Sequence, residues 1–260
     1  MKMRNVLFFA LMLSFIVLIS AHAKKNRQGK DEKNYVENVM GIKLEMIYVK
    51  GGTFIMGNTS EKGGCSDERP ITEIYLDSYY IGAFEVTQKQ WNIIMRGENI
   101  ADENDNLPIT YVSWNEATLF CDKLSQLTGK NYKLPTEEQW EYAALAGEND
   151  NKMYSGGSNI KKVAWYFQNS EGTVHQVGLK APNKLGIYDM SGNVYEWCID
   201  NYNSYIRKYD FSKENNVGSY KVLRGGCWSD YASNCRATYR YFEIESCANG
   251  KIGFRVVLIP

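Results

Sequence analysis

This sequence predicts an α+β fold rich in loops, on three observations. Three helix starts carry the same capping device, and short alternating runs between them read as strands. After Gly147 the chain becomes rich in Gly, Asn, Ser and Tyr, with little sustained periodicity, which predicts a long irregular C-terminal half. At 260 residues the chain is long enough to bury a substantial core. From Leu44 onward it contains no linker, internal repeat or low-complexity tract, so one domain is the simplest reading.

Taken in order, residues 1–23 read as an export signal. Lys2 and Arg4 precede an apolar stretch from Val6 to Ile19, and Ala21, His22 and Ala23 offer a cleavage site. The stretch is shorter than the roughly 20 residues of a membrane-spanning helix, so a periplasmic or extracellular protein with no integral span after cleavage is expected. Residues 24–40 are polar and charged and predict a flexible leader, with the folded domain at 41–260. Leu44–Val49 and Thr53–Met56 predict short strands around Gly51 and Gly52, and Glu73–Tyr80 predicts another. Thr87 with Gln90, Ser113 with Glu116 and Thr136 with Gln139 each fit a capping box, in which two side chains satisfy orphan backbone donors reciprocally. In the second of these helices Ala117, Phe120, Cys121, Leu124 and Leu127 share one face, and Gly129 ends it. Further strands are predicted at Lys221–Arg224 and Phe254–Leu258.

Composition excludes several functions. Formal charge is zero, and removal of residues 1–23 takes away Lys2 and Arg4, which leaves no basic footprint for nucleic acid. The six cysteines are Cys65, Cys121, Cys198, Cys227, Cys235 and Cys247; an oxidising compartment predicts that some pair, without giving the connectivity. Beyond the signal the one histidine is His175, so a zinc or iron site built on several imidazoles is excluded, and His175 itself is expected to be structural.

The stretch from Gly186 to Trp197 gathers oxygen ligands and a fixed turn. Asp189 and Glu196 supply carboxylates, and Gly192 permits a turn that aims carbonyls one way. Calcium takes about six to eight such oxygens; an ordinary Asx-turn with a surface glutamate uses the same residues. About thirty residues on come Val222–Trp228, with its Arg224-Gly225-Gly226 run, and Gly253–Val257. Together with Gly51–Gly57, Phe84–Gln88 and Leu134–Ala144, in this order, these segments resemble the formylglycine-generating enzyme (sulfatase-modifying factor) superfamily, from about Leu44 to Val257.

The resemblance implies an irregular fold related to C-type lectins, with a small twisted sheet and two main helices. It maps the calcium ligands onto Asp189, Gly192, Val194 and Glu196. It also implies copper(I) held by two thiolates five residues apart, and here those positions are Asp230 and Cys235, so the pair is broken. A carboxylate is a hard ligand and a poor holder of soft copper(I). Cys235 remains the candidate catalytic residue, with Cys227 or Cys198 as a relocated partner or a staple. Trp197, Cys227, Trp228, Asp230, Arg236 and Arg240 are the expected pocket residues, the arginines suiting an anionic or peptide ligand. Three readings follow: a calcium-braced module that binds a protein or glycan; an oxidoreductase acting on protein cysteine, for instance in an exported sulfatase; and a structural subunit of an envelope or secretion assembly.

Overall fold

The polar leader gives way to folded chain sooner than its charge suggests. In the computed structural model Tyr35–Val39 forms strand β1, paired antiparallel with β2 (Ile42–Val49). Met40 and Gly41 join them with φ of 49° and 83°, as a two-residue hairpin of this twist requires. The structure describes residues 33–60, 63–99, 101–147, 152–202 and 219–260. The predicted signal at 1–23 and residues 24–32 of the predicted leader lie outside these residues. Asn34–Pro260 forms one compact unit. No helix among the described residues is long and apolar enough to cross a membrane.

The strands distribute over three sheets instead of one small sheet. Ile42, Leu44 and Met46 of β2 are buried while Lys43 and Glu45 face out, the alternation of a half-covered strand. Strand β3 (Gly52–Met56) pairs only with β4 (Thr72–Leu76). The run expected as one strand from Glu73 to Tyr80 is broken at Asp77 and Ser78, and β5 (Tyr79–Gly82) enters the main sheet beside β2. Gly51 permits this corner: a Cβ there would lie 2.5 Å from the Leu76 carbonyl oxygen. The main sheet continues through β11 (Val257–Leu258) to β6 (Tyr132–Lys133), in the order β1-β2-β5-β11-β6. A second sheet orders β10 (Ile252–Gly253), β7 (Tyr195–Asn201), β8 (Tyr220–Arg224) and β9 (Arg240–Ile244).

All three predicted capping boxes form. Thr87 starts α1 (Gln88–Trp91), which runs into a π-helical turn over Asn92–Arg96; Ser113 starts α2 (Trp114–Thr128); Thr136 starts α3 (Glu137–Ala144). A one-turn helix, α4, spans Ile160–Val163. On α2 the residues Ala117, Phe120, Cys121 and Leu124 are buried, whereas Leu127 stays exposed near the end capped by Gly129. Phe120 stacks on Trp91 and meets Phe254 edge-on, which docks α2 on the main sheet. A second apolar cluster centres on the fully buried Trp140 of α3, with Phe54, Tyr79, Met190 and Val222. These two docked helices and the sheet edges between them present the C-terminal loops that hold the candidate site.

Candidate functional site

The loop entering β7 is built on left-handed backbone: Asp189, Gly192 and Asn193 have φ of 56°, 78° and 62°. Gly192 is fixed by space as well, since a Cβ there would lie 2.1 Å from the Trp165 carbonyl oxygen. Asn193 ties the loop inward, its Oδ1 accepting from His175 N at 3.0 Å and its Nδ2 donating to Glu85 Oε2 at 2.9 Å. Val194 N donates to Glu85 Oε1 at 3.3 Å. Glu196, at 0 % exposure, faces Arg255: Nε and Nη2 each donate at 2.6 Å, and Trp140 Nε1 donates to the same carboxylate at 2.7 Å. His175 stacks on Trp165 at 3.7 Å between centroids and meets the Ser170 carbonyl, which makes it structural.

This geometry bears on calcium residue by residue. Asp189 Oδ2 accepts from Gly178 N at 2.7 Å, while the buried Oδ1 has no hydrogen-bond partner. No hydrogen bond reaches the carbonyls of Gly192 or Val194 among the described residues. Three buried carboxylates, Glu85, Asp189 and Glu196, share the single guanidinium of Arg255. Burial raises the Asp189 carboxyl to about 6, against the lowering effect of Gly178 N and Arg255. Burial and the neighbouring Asp189 and Glu196 push Glu85 well above the usual carboxylate range. A hard cation would relieve that excess charge and use the orphaned oxygen, so Asp189 and the two carbonyls fit calcium. Glu196 fits less well, because Arg255 and Trp140 occupy both its oxygens. No three His, Cys, Asp or Glu side chains among the described residues form a metal-holding group by themselves, so the carbonyls are essential to such a site. Glu85 was absent from the sequence-derived site set; its signal was the Phe84–Gln88 motif.

The second feature is a cavity of about 590 Å3 beyond the Gly225-Gly226 turn. Tyr111, Tyr195, Trp228, Tyr239 and Tyr241 supply its aromatic wall, and Asp230 and Glu243 its acids. Trp228 is anchored by Nε1 donating to the Gly250 carbonyl at 3.0 Å. Asp230 Oδ2 accepts from Cys227 N at 3.0 Å, closing its own turn. Cys235 lies in the short 3-10 helix Ala232–Cys235, is 0 % exposed, and lines neither this cavity nor a larger one of about 710 Å3 on the Ser233 and Arg236 side. Burial pushes its thiol far up, helped by Asp230 and Cys227.

Several expected pocket residues stand elsewhere. Trp197 is wholly buried and donates to the Val112 carbonyl at 3.0 Å, a core position. Cys227 is buried beneath the cavity, its thiol raised to about 12 by burial and Asp230. Arg240 grips Glu137 with two bonds of 2.6 and 2.7 Å, and Arg236 pairs with Glu68 and lines the larger cavity. The carboxylates of Glu68 and Glu137 pair these two arginines internally, as Glu137 and Glu141 pair Arg224. All six cysteines are free, contrary to the expectation of staples. Cys227, Cys198 and Cys235 belong to three separate apolar clusters, where a thiol serves as a small hydrophobe.

Alkylation of the native protein at pH 8 should therefore label Cys65 first and leave Cys227 and Cys235 intact until denaturant is added. With a thiol at about 12, Cys227 carries about a thousandfold less thiolate than an ordinary cysteine. Mass spectrometry of the labelled peptides reads the order, and rapid native labelling of Cys235 would contradict it.

The chain is similar to several known proteins. "Chaperone protein LppX" of Paenibacillus barcinonensis is 28% identical over 75% of this chain and 82% of its own length. "Serine/threonine-protein kinase pkn1" of Chlamydia caviae is 30% identical over 88% of this chain, which spans only 40% of that protein. "Inactive C-alpha-formylglycine-generating enzyme 2" of Bos taurus is 24% identical over 83% of this chain and 88% of its own. Bacterial proteins named as formylglycine-generating enzymes match over shorter stretches. Among solved structures, Treponema denticola variable protein 1 superposes with a TM-score of 0.75 at 26% identity, covering 87% of this chain and 99% of that one. The model of the sulfatase-modifying factor enzyme 1-like domain matches residues 35–259, nearly every residue of the folded unit, and the chain belongs to that family.

Proposed function

We propose that this protein is an exported, non-catalytic member of the family that binds a protein or glycan ligand in the aromatic cavity, with calcium bracing the Asp189 loop. The observation that carries the reading is the state of the thiol site. Asp230 stands where the first copper thiolate is expected, and one oxygen of its hard carboxylate accepts from the Cys227 backbone. Cys235, the surviving thiol, is buried outside both cavities. Copper(I) needs two soft ligands with room for a substrate thiol, and this pair offers neither.

A binding surface is supported by what surrounds the cavity. Tyr111 is 72 % exposed on its rim and held at φ 56°, a conformation that costs a bulky residue energy. Phe167 and Tyr231 form a second exposed aromatic pair, 5.2 Å between centroids, and Phe167 N donates to the Asp230 carbonyl at 2.9 Å. Exposed aromatics grouped beside a cavity favour interaction over solvation. A relative named as a chaperone and another named as inactive favour a protein ligand over turnover. An exported sulfatase or an envelope complex is the kind of partner this reading admits.

The competing reading is a cysteine oxidase with Cys227 as the relocated thiol, favoured by one observation: a Cβ on Gly226, the residue before Cys227, would lie 3.0 Å from Cys235 Sγ. Incubating reduced, copper-loaded protein with oxygen and a Cys-x-Pro-x-Arg peptide separates the two. Mass spectrometry should find no conversion of thiol to aldehyde. Turnover would overturn the binding reading in favour of the oxidase.

A further inference from the structure

The cavity's lining has a charge character opposite to the one its arginine-rich sequence suggests. Arg224, Arg236, Arg240 and Arg255 are all turned to carboxylates or carbonyls away from it. What remains on its wall is Asp230 and Glu243 against Lys251, with five aromatic rings between them. We infer that the cavity takes an organic cation, an alkylammonium group such as a lysine side chain or a free quaternary amine. This rests on the proposed ligand-binding role of the cavity and names the chemistry of its ligand.

Tyr111 and Tyr241 are exposed rings, whereas Tyr195 is buried in the core behind them with Tyr239 packed against it. Tyr195 and Tyr241 stack at 5.0 Å between centroids, Trp228 is fixed at its edge by Gly250, and Tyr111 is fixed by its N–H on the Asn249 carbonyl at 2.9 Å. Ring faces attract cations through their quadrupole, the more so when water is excluded. Tyr195 and Tyr239 stand beside Asp230 on the same wall. No ion pair engages Glu243 among the described residues, so its carboxylate on the cavity wall is the natural counter-ion. Burial raises the phenols of Tyr195, Tyr239 and Tyr241, and the negative charge of Asp230 adds to it. An anion would meet the carboxylates of Asp230 and Glu243 unfavourably, and a neutral sugar would gain nothing from their charge. A cation uses both the rings and the charge.

The test is titration calorimetry on the full folded protein with matched probes. Choline is compared with its neutral isostere 3,3-dimethylbutan-1-ol, a blocked lysine tripeptide with its norleucine analogue, and methyl β-glucoside serves as the neutral sugar. At least one cation should bind about tenfold or more tightly than its isostere. Glu243→Gln should erase that margin with the melting temperature unchanged, and Trp228→Ala should weaken cation and isostere alike. The choline and lysine arms tell a free amine from a polypeptide side chain. Equal binding of a cation and its isostere, tighter binding of the glucoside, or no binding of any cation would each overturn the inference. The first two would leave a neutral-ligand pocket and hence the binding role intact, whereas peptide oxidation by the copper-loaded protein would strike the binding role itself.

Discussion

Replacing Arg255 with methionine should lower the melting temperature by roughly 6–20 °C. The guanidinium and Glu196 are both fully buried and joined by two 2.6 Å bonds, and Arg255 also donates to the carbonyls of Gly82 and Tyr188. Removing one partner of such a pair leaves the other charge stranded, at a cost of about 3–5 kcal/mol. In a domain of this size each kcal/mol moves the midpoint by about 2–4 °C. Glu196→Gln should destabilise comparably, and the double replacement should cost clearly less than the two together, because it removes both charges. Thermal unfolding of the three variants checks this. Single replacements within about 0.5 kcal/mol of wild type would show the pair to be dispensable.

Calcium should raise the stability of the wild type by about 2.7 kcal/mol at a hundred times its dissociation constant, a shift of roughly 5–11 °C relative to chelator-treated protein. The ligand to remove is Asp189, whose Oδ1 is buried without a partner. Asp189→Asn should abolish most of the calcium response. Glu196→Gln is a poor substitute for that variant, since it breaks the Arg255 pair whether or not calcium binds. Scanning fluorimetry with and without chelator reads the difference. An undiminished response in Asp189→Asn would remove this loop from consideration as the calcium site.

How much of this was legible in the chain depends on the range of the forces involved. Helix starts are local, a side chain answering a backbone donor three residues away, and all three boxes at Thr87, Ser113 and Thr136 formed as expected. Strand breaks were less visible: Asp77 and Ser78 divide one alternating run because β4 and β5 find different partners. The domain start was hidden for the same reason, since the polar run that ends the leader gains its order from pairing across β2. At the site, the gathered oxygen ligands pointed to the Asp189–Glu196 loop, and the family resemblance pointed to Asp230 and Cys235. Neither could show which carboxylate each arginine meets across more than fifty residues of sequence, as Arg255 meets Glu196 and Arg240 meets Glu137. Residue type made Arg236 and Arg240 candidates for binding an anion; tertiary pairing assigns them to bracing. Of the aromatic wall, Trp228 was expected, whereas Tyr111, Tyr195 and the neighbouring Tyr239 and Tyr241 were not, because they reach the cavity from three separate segments.

The most direct test of a family member without its copper chemistry is a copper(I) titration of the fully reduced protein against a chromophoric competitor. The ligand set of Asp230 with a buried Cys235 predicts no tight binding in the wild type and no change in Cys235→Ala. Restoring the pair by Asp230→Cys should create a site that the wild type lacks. Tight copper(I) binding by the wild type that disappears in Cys235→Ala would contradict the non-catalytic reading and place a working thiol pair in this fold.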